Sequence, residues 1–292
     1  MGGLASRAMR AFRYVVVDVF TDTALTGNQL AVFTDARDLD PLTMQALARE
    51  MNFAESVFVL RPESADADAD VRIRIFTPSS ELPFAGHPIL GAAFVLGAPL
   101  QKIVIRLETA AGVIPVSLER EGARISFGWM EQPVPAWEPF PAVEELLAAL
   151  GVSRSGLPVE LYDLGPGQVF VELGSAEEVA RLTPDLGALA RLTSAAASCF
   201  SRSGGGWKAR VFVPAHGVPE DAATGSAAGP LAVHLVRHQR IGLGEEIEII
   251  QGVEMGRPSK LYARVEGSEG RIERVAVGGS AIVVARGEFR IP

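Results

Sequence analysis

A repeat of about half the chain length constrains this sequence more than any single motif. The segments 74–78 (RIFTP) and 210–214 (RVFVP) resemble each other, and each is followed by a glutamate and, five residues later, a glycine. These pairs are Glu81 with Gly86 and Glu220 with Gly225, and the two glycines lie 139 residues apart in a chain of 292 residues. The shared order of strand, proline, acid and glycine predicts two similar lobes, each with a strand–loop–helix unit.

Each copy of the repeat ends in a glycine that leads into a predicted helix of small apolar residues. His87 follows Gly86, and Ser226 follows Gly225. The first N–H groups of a helix have no partner within it, and the peptide dipoles place about half a positive charge there. Two such helix starts facing one cleft would suit a small carboxylate and the negative charge of an ionising carbon acid. Taken singly, each glycine is better explained by a tight turn or close packing.

The candidate acid–base group is Glu55. A helix is predicted from Asp40 to near Met51 and a strand from Val57 to Leu60, so that Glu55 lies at their junction. The surrounding segment 52–58 (NFAESVF) carries no other charge, and partial desolvation there would raise the pKa of the carboxyl toward the working pH. A group that shuttles protons needs such a pKa. Composition alone supports a surface glutamate at least as well.

Most of the other candidate residues allow both a functional and a structural interpretation. His87 could polarise a carbonyl or bind substrate, or only cap a helix, and Asp221 could accept from a substrate amine or hydroxyl, or complement the helix dipole. His234 and His238 have the i, i+4 spacing that suits zinc, but no glutamate follows His234 and a solvated helix face is predicted. Cys199 is predicted to be a buried, inert thiol. No metal and no cofactor are predicted.

Composition argues against several other classes of protein. The formal net charge is −8 without a basic tract, which argues against a nucleic-acid partner. No apolar stretch reaches the about 20 residues of a membrane span. The single cysteine cannot form an internal disulfide, so the reducing cytoplasm is the predicted location. Residues 1–10 lack the apolar core of a signal peptide and are left outside the predicted fold.

A cluster of prolines marks the predicted division of the chain. Four prolines lie between Pro133 and Pro141, which predicts a linker. The N-terminal lobe is therefore predicted at 11–130 and the C-terminal lobe at 131–284. One strand is predicted over Glu273–Ala285, and residues 285–292 are predicted to cross back to the first lobe.

Several motifs together resemble the phenazine-biosynthesis PhzF-like proteins. They span nearly the whole chain in the family's order, and they are DVF at 18–20, Gly27-Asn28, Ala31-Val32, NFAESVF at 52–58, FTP at 76–78, ELPFAGHPILG at 81–91, EDAATGSAAGPL at 220–231 and QGVEMGRPS at 251–259. Gln29 and Ala222 stand where the family commonly has proline, and neither departure removes a reactive group. The combination of A-G-H-P with D-x-A-T-G-S-A is specific.

The resemblance implies an α+β, diaminopimelate-epimerase-like fold. Two pseudo-symmetric domains would each wrap a curved sheet around a central helix, with the active site between them. The characterised family member isomerises trans-2,3-dihydro-3-hydroxyanthranilate without metal or organic cofactor, and a glutamate moves a proton between two ring carbons. On this resemblance Glu55 is the catalytic residue and the chain is a homodimer. The matching substrate-binding positions are Gly86, His87, Asp221, Gly225 and Ser226.

The leading hypothesis is a cofactor-independent isomerase acting on a small carboxylated metabolite. Related epimerases and proline racemases use a cysteine from each half, whereas the corresponding loops here contain Ala85 and the segment 222–224 (AAT), so two-base thiol racemisation is not expected. Two alternatives stay open. One is an epimerase or racemase in which Glu55 is one of two bases, and the other is a non-catalytic small-molecule-binding protein.

Overall fold

The computed structural model describes residues 9–63, 68–165, 167–268 and 270–291. The strands are β1 (Arg10–Val19), β2 (Asn28–Phe33), β3 (Glu55–Leu60), β4 (Val71–Phe76), β5 (Glu81–Leu82), β6 (Val104–Thr109), β7 (Gly112–Glu121), β8 (Arg124–Gln132), β9 (Ala136–Pro139), β10 (Glu160–Asp163), β11 (Gly167–Glu172), β12 (Ala196–Ser203), β13 (Gly206–Val213), β14 (Val218–Asp221), β15 (Glu246–Gln251), β16 (Ser259–Ser268), β17 (Arg271–Gly279) and β18 (Ala281–Ile291). The helices are α1 (Pro41–Met51), α2 (Gly86–Leu100), α3 (Val143–Leu150), α4 (Ala176–Ala180), α5 (Leu186–Leu192) and α6 (Gly225–Arg237).

The strands form one continuous ladder with matching halves. Its order is β18, β1, β2, β3, β4, β6, β7, β8, β17, β16, β15, β13, β12, β11, β10 and β9, with β5 and β14 attached to β4 and β13. The antiparallel pair β8–β17 joins the halves. On either side of it the parallel and antiparallel pairings follow the same order, so the sequence repeat is a structural repeat.

Two buried helices occupy the equivalent central positions. The half-sheet from β1 to β8 packs around α2, and α6 packs against β11, β16 and β17. Eleven residues of each helix are buried. Such enclosure suits helices that are built mainly from small and aliphatic residues, as both of these are. The predicted α+β fold, with sheets curved around central helices, is confirmed.

Each copy of the repeat contains an equivalent ion pair between an arginine and a glutamate. Arg74 holds Glu81 through two bonds of 2.7 and 2.6 Å, and Arg210 holds Glu220 through two bonds of 2.9 and 2.8 Å. Each bidentate pair ties the strand to the short strand that follows it, and so fixes the loop leading to the glycine. The repeated glutamates therefore position the loops.

The halves exchange one strand each. After β8 the chain crosses to form β9, which pairs with β10 in the second half. After β17 it crosses back to form β18, which pairs with β1 along ten residues. The segment 133–141, predicted to be a linker, contains the paired strand β9, and its role as a domain linker stays a prediction. The prediction of one strand over Glu273–Ala285 is wrong, because the strand is interrupted at Ser280 and a separate crossing strand begins at Ala281.

Some predicted features lie at the limits of the described residues. Residues 1–8 of the excluded N-terminus lie outside them, and Arg10 already begins β1. The predicted helix after Asp40 is confirmed as α1. The carboxylate of Asp40 caps this helix by accepting from Thr43 N at 3.0 Å. Within the described part of the chain, the helices are too short or too polar to cross a bilayer. The division into lobes at residue 130 stays a prediction.

Candidate active site

The starts of α2 and α6 abut each other at the centre of the molecule. A Cβ atom built on Gly86 would lie 2.5 Å from the carbonyl carbon of Gly225 and 2.6 Å from the amide nitrogen of Ser226. Real side chains do not tolerate such a distance from backbone, so the close approach of the two helices requires glycine here. The two glycines of the repeat therefore meet.

The abutting helix starts leave four backbone N–H groups free. Within the described ranges, the amides of Gly86, His87, Gly225 and Ser226 donate to no acceptor, whereas the next amide of α6, Ala227 N, already bonds to Thr224 O at 2.9 Å. Free amides at two helix starts, each with a positive dipole end, form a site for an anion.

A cavity of about 200 Å³ opens at this point. It is lined by residues of both halves, and every predicted site residue borders it: Glu55, Gly86, His87, Asp221, Gly225 and Ser226. The structure thus brings together residues up to 171 positions apart in the sequence. The volume suits a single small metabolite.

Glu55 points its carboxyl group into the cavity from the first residue of β3. The strand was predicted to begin at Val57, and it begins two residues earlier, at Glu55. The side chain is 16% exposed. Burial, and secondarily the charge of Asp221, raise the pKa of this carboxyl well above its ordinary value. The group can therefore hold a proton at a pH where an exposed glutamate has lost it.

His87 lies beside Glu55 as a neutral ring. Its Nε2 is 3.4 Å from Glu55 Oε2, a distance at the long end for a hydrogen bond. Burial lowers the pKa of His87 to about 4, although the charge of Asp221 acts in the opposite direction. His87 does not cap its helix, because the N-cap position is Ala85 and no side chain caps α2. Its Nε2 has no hydrogen-bond partner among the described residues and is available to a ligand.

Asp221 is held in place by both halves. It lies at the end of β14. Thr224 donates to one carboxylate oxygen at 2.6 Å, and Asn28 Nδ2 donates to the other at 2.7 Å. Asn28 Nδ2 also lies 3.0 Å from Ala223 O and 3.2 Å from His87 Nδ1. Asn28 is thus the link between the acidic residue of one half and the histidine of the other.

The sequence predicted no role for Asn28, although the residue belongs to the Gly27-Asn28 motif. Gly27 has φ +70°, and a Cβ atom there would meet Val19 O at 2.4 Å. This turn delivers Asn28 to the first position of β2. The signal in the sequence was the Gly-Asn pair after a strand, which marks a turn with a left-handed residue.

Two buried glutamines, also missed, support the start of α6. Gln251 donates to Asp221 O at 2.8 Å and accepts from Thr224 N at 3.2 Å. Gln132 donates to Gly225 O at 2.9 Å. Because that carbonyl shares a peptide plane with the amide of Ser226, the bond also fixes the direction of a free N–H group. Neither residue lies in a motif whose spacing would reveal this contact.

The cavity is asymmetric although the fold is repeated. In the first half, Glu55 pairs with Leu30 across two parallel strands. In the second half, the equivalent first residue of β12 is Ala196, which pairs with Gln168. Ala196 and Gln168 both line the cavity. The second half therefore presents a methyl group where the first half presents a carboxyl group.

The predicted solvated face of His234 and His238 is wrong for His234, which is fully buried and stacks on Phe170. Glu160 Oε2 lies 3.3 Å from His234 Nδ1 and 2.9 Å from His238 Nε2. Arg237 donates to the same oxygen at 2.6 Å. Burial acts to raise the pKa of Glu160, but the bonds from Arg237 and His238 outweigh it and lower that pKa to about 2. A guanidinium thus already neutralises this carboxylate.

Cys199 lies in β12 and is fully buried, as predicted. Burial raises the pKa of its thiol to about 12. It lies outside the residues that line the cavity. The thiol is therefore inert toward a ligand in this cavity.

The sequence is similar to that of known proteins over nearly its whole length. The family model of the phenazine biosynthesis-like proteins, PhzC-PhzF, matches residues 17–287. The chain is 52% identical to a trans-2,3-dihydro-3-hydroxyanthranilate isomerase of Pseudomonas aeruginosa, over 94% of this chain and 98% of the relative. It is 49% identical to the isomerase of the same name from Pseudomonas fluorescens, over 94% and 98% of the two chains.

Solved structures agree as well. The crystal structure of a PhzF-family protein of Bacillus anthracis matches with a TM-score of 0.85 and 25% identity, covering 97% of this chain and 100% of the other. A hydroxyproline epimerase of Agrobacterium vitis matches with a TM-score of 0.64 and 12% identity, covering 97% and 93%, and shares the fold. The chain therefore belongs to the PhzC-PhzF family of phenazine biosynthesis-like proteins and is an isomerase.

Proposed function

We propose that this isomerase uses Glu55 as its single acid–base group to move a proton between two carbons of a small carboxylated ring. The proposed substrate class carries an amine and a hydroxyl besides the carboxylate, as does the compound named for the Pseudomonas relatives. The observation that carries the proposal is the buried carboxyl of Glu55, with its raised pKa, in one cavity with two abutting helix starts.

Substrate binding follows from the charges around the cavity. The free amides of Gly86, His87, Gly225 and Ser226 bind the substrate carboxylate, and the two helix dipoles add to their attraction. They also stabilise negative charge that spreads into the carboxylate when a neighbouring carbon loses its proton. Asp221, anchored by Asn28, takes the amine.

The proton transfer uses one group twice. As a carboxylate, Glu55 removes a proton from one ring carbon, and the electron pair of the broken C–H bond shifts the ring double bonds. The resulting carboxylic acid then returns the proton to another ring carbon and is a carboxylate again. No electron acceptor, metal or organic cofactor is needed. Because its pKa is raised, Glu55 exchanges between carboxylate and carboxylic acid closer to the operating pH than an exposed glutamate does, which favours both half-steps.

The asymmetry of the cavity favours an isomerase over an epimerase. Inversion at one carbon needs a base on each face of the substrate, and the second half supplies Ala196 at the place equivalent to Glu55. A single carboxyl group can move a proton from one position to another on its own side of the ring. A non-catalytic binding protein would have no need of a buried carboxyl group with a raised pKa.

The test is turnover of trans-2,3-dihydro-3-hydroxyanthranilate by the Glu55→Gln variant. We expect kcat to fall at least about 10²-fold, since acid–base catalysis typically contributes 10²–10⁴-fold. Binding of a stable ring carboxylate should change less than threefold. The exposed Glu50 in α1 offers a matched control, Glu50→Gln, which should keep full activity. Near-normal turnover by Glu55→Gln would contradict the assigned role.

Deuterated water separates the two enzyme classes. An isomerase yields a product whose double bonds have moved. An epimerase instead yields the starting skeleton with deuterium at the original carbon and inverted configuration there. The second result would require another base and would overturn the single-base proposal.

We further propose that the enzyme works in the cytoplasm as a homodimer. The single buried cysteine needs no oxidising compartment. Sedimentation of the purified protein, which should give a mass near 62 kDa for two chains of 31.0 kDa, checks the oligomeric state.

A further inference from the structure

Gln168 is a polar residue at a place where the repeat has an apolar one. Its equivalent in the first half is Leu30, because Leu30 pairs with Glu55 and Gln168 pairs with the equivalent Ala196. Leu30 is fully buried and packs against Gly91 of the central helix. Gln168 is also buried, at 2% exposure, but it borders the cavity. Packing alone would be served by leucine in both halves.

Only one end of the Gln168 amide is satisfied by the protein. Its Oε1 accepts from the hydroxyl of Ser198, a buried neighbour on β12, at 3.3 Å. Its Nε2 has no hydrogen-bond acceptor within the described segments. Because Gln168 lines the cavity, this N–H donor is available to a ligand oxygen there. Because Ser198 holds the oxygen end, the amide presents its N–H groups elsewhere.

The space for such a ligand oxygen lies beside Gln168. Ala196 is its direct strand neighbour and fills far less of the cavity than Glu55 does on the other side. The wall of the second half thus combines an opening with a hydrogen-bond donor. Leu30 has no such opening, because Glu55 occupies the neighbouring position.

The chemistry of the substrate decides which oxygen this donor meets. The carboxylate is already bound by the four free amides, and an ammonium group offers no lone pair to an N–H donor. The acceptor that remains on the proposed substrate class is the hydroxyl. We propose that Gln168 is a specificity-determining residue that donates a hydrogen bond from Nε2 to the hydroxyl oxygen of the substrate. This inference rests on the proposed function.

The test compares two unreactive ligands that differ by one hydroxyl, 3-hydroxyanthranilate and anthranilate. Calorimetry gives the Kd of each for the wild type and for Gln168→Leu, which copies the residue of the other half. We expect the wild type to bind the hydroxylated ligand about tenfold more tightly, the effect of one well-placed hydrogen bond. In Gln168→Leu this ratio should fall to about one, while the Kd of anthranilate changes less than threefold.

Two further variants guard against a merely structural effect. Gln168→Met keeps the length of the side chain and should also abolish the preference for the hydroxyl. Ser198→Ala frees the amide to turn and should lower the preference only in part. With trans-2,3-dihydro-3-hydroxyanthranilate, Gln168→Leu should raise KM about tenfold and leave kcat within about threefold, since the residue does not transfer the proton.

The outcomes separate this inference from the function on which it rests. If the wild type turns over the dihydro compound and both Gln168 variants keep the full hydroxyl preference, the role of Gln168 is wrong and the proposed function stands. The role is also wrong if the variants weaken both ligands equally. If the wild type neither binds the two ligands nor turns over the dihydro compound, the proposed function fails and the role of Gln168 fails with it.

Discussion

Glu55 and Ala196 occupy equivalent positions in a repeated fold, and the difference between them sets the chemistry of the cavity. One carboxyl group in a partly desolvated site is enough to carry a proton, provided that its pKa is raised. The local sequence predicted this environment, since no charge lies near Glu55 in the segment 52–58. The sequence could not predict the second cause of the shift, the charge of Asp221, because that residue is distant along the chain.

The raised pKa of Glu55 predicts how stability depends on pH. The folded protein retains the carboxyl proton at a pH where the unfolded chain has lost it, so this group lowers the stability of the fold as pH rises above about 4.3, the value for unfolded glutamate. Glu55→Gln removes that effect. We expect its Tm to exceed that of the wild type at pH 8 by a few degrees.

Thermal unfolding followed at several pH values between 4 and 8 checks this prediction. The difference in Tm should shrink toward zero at pH 4, where both folded and unfolded wild type carry the proton. A constant difference across this range would show that the effect comes from packing and not from ionisation. The exposed Glu50→Gln variant should show no pH-dependent difference.

The effect of His87 on stability depends on pH in the opposite direction. Its pKa is lowered to about 4 in the folded state, so the unfolded chain binds a proton first as pH falls. Its effect on stability is therefore absent above about pH 6.5 and develops as pH falls toward 4. His87→Asn should lose less stability than the wild type over that interval, as measured by urea unfolding at pH 7 and pH 5. An equal loss in both proteins would mean that His87 is not buried as a neutral ring.

The cavity lies where the starts of α2 and α6 meet. The repeat in the sequence predicted both helix starts, because each begins after the same strand, acid and glycine. The contact between them could not be predicted from spacing, since it depends on how the two half-sheets join at β8 and β17. For the same reason Asn28 and Gln251, which reach the site from distant strands, were not assigned to it.

Gly86→Ala tests whether the contact between helices governs ligand binding. Alanine normally stabilises a helix relative to glycine by roughly 0.5–1 kcal/mol, but here its Cβ would lie 2.5 Å from the backbone of Gly225. We expect a net loss of about 1–3 kcal/mol, typical of overpacking. Carboxylate affinity should fall at least tenfold, since the helix starts are forced apart.

Gly97→Ala is the matched control in the same helix. Its added Cβ meets the end of the Leu118 side chain, which can move, and not backbone. Ligand affinity should stay within about twofold of the wild type in this variant. If Gly86→Ala bound carboxylates as well as Gly97→Ala does, the two helix starts would not form the anion site.

For the whole molecule, the two halves are tied together outside the cavity by Arg257. Its guanidinium donates to Asp18 at 2.7 Å, to Gly27 O at 2.7 Å and to Thr26 O at 2.8 Å. Asp18 is nearly fully buried and also accepts from Leu25 N at 2.7 Å. Arg257→Leu would leave this carboxylate buried without its partner, and we expect a loss of about 3 kcal/mol in the free energy of unfolding.

A double-mutant cycle with Asp18→Asn checks this prediction by urea unfolding. The asparagine oxygen can still accept from Leu25 N, while the unpaired charge is gone. Asp18→Asn with Arg257→Leu should therefore cost clearly less than the sum of the two single changes. Additive losses would mean that the pair does not couple the halves.

Local sequence patterns did not reveal that the last strand of each repeat pairs with the other half-sheet. The prolines predicted a boundary near residue 130, and β9, which follows it, completes the second half-sheet, whereas β18 returns to complete the first. Pairing between distant segments leaves little trace in local patterns, because a strand shows the same alternation whatever its partner. The last residues were predicted to cross back from residue 285, and the crossing strand β18 begins at Ala281.

The strand exchange has a consequence for what a single half could be. If the chain were cut between β9 and β10, it would give two fragments that each carry the closing strand of the other and lack their own. Neither could complete its hydrogen-bonding edge alone, and each would be a template for the other. The connectivity is that of two like subunits that traded their last strands and were then spliced end to end, a dimer contained in one polypeptide.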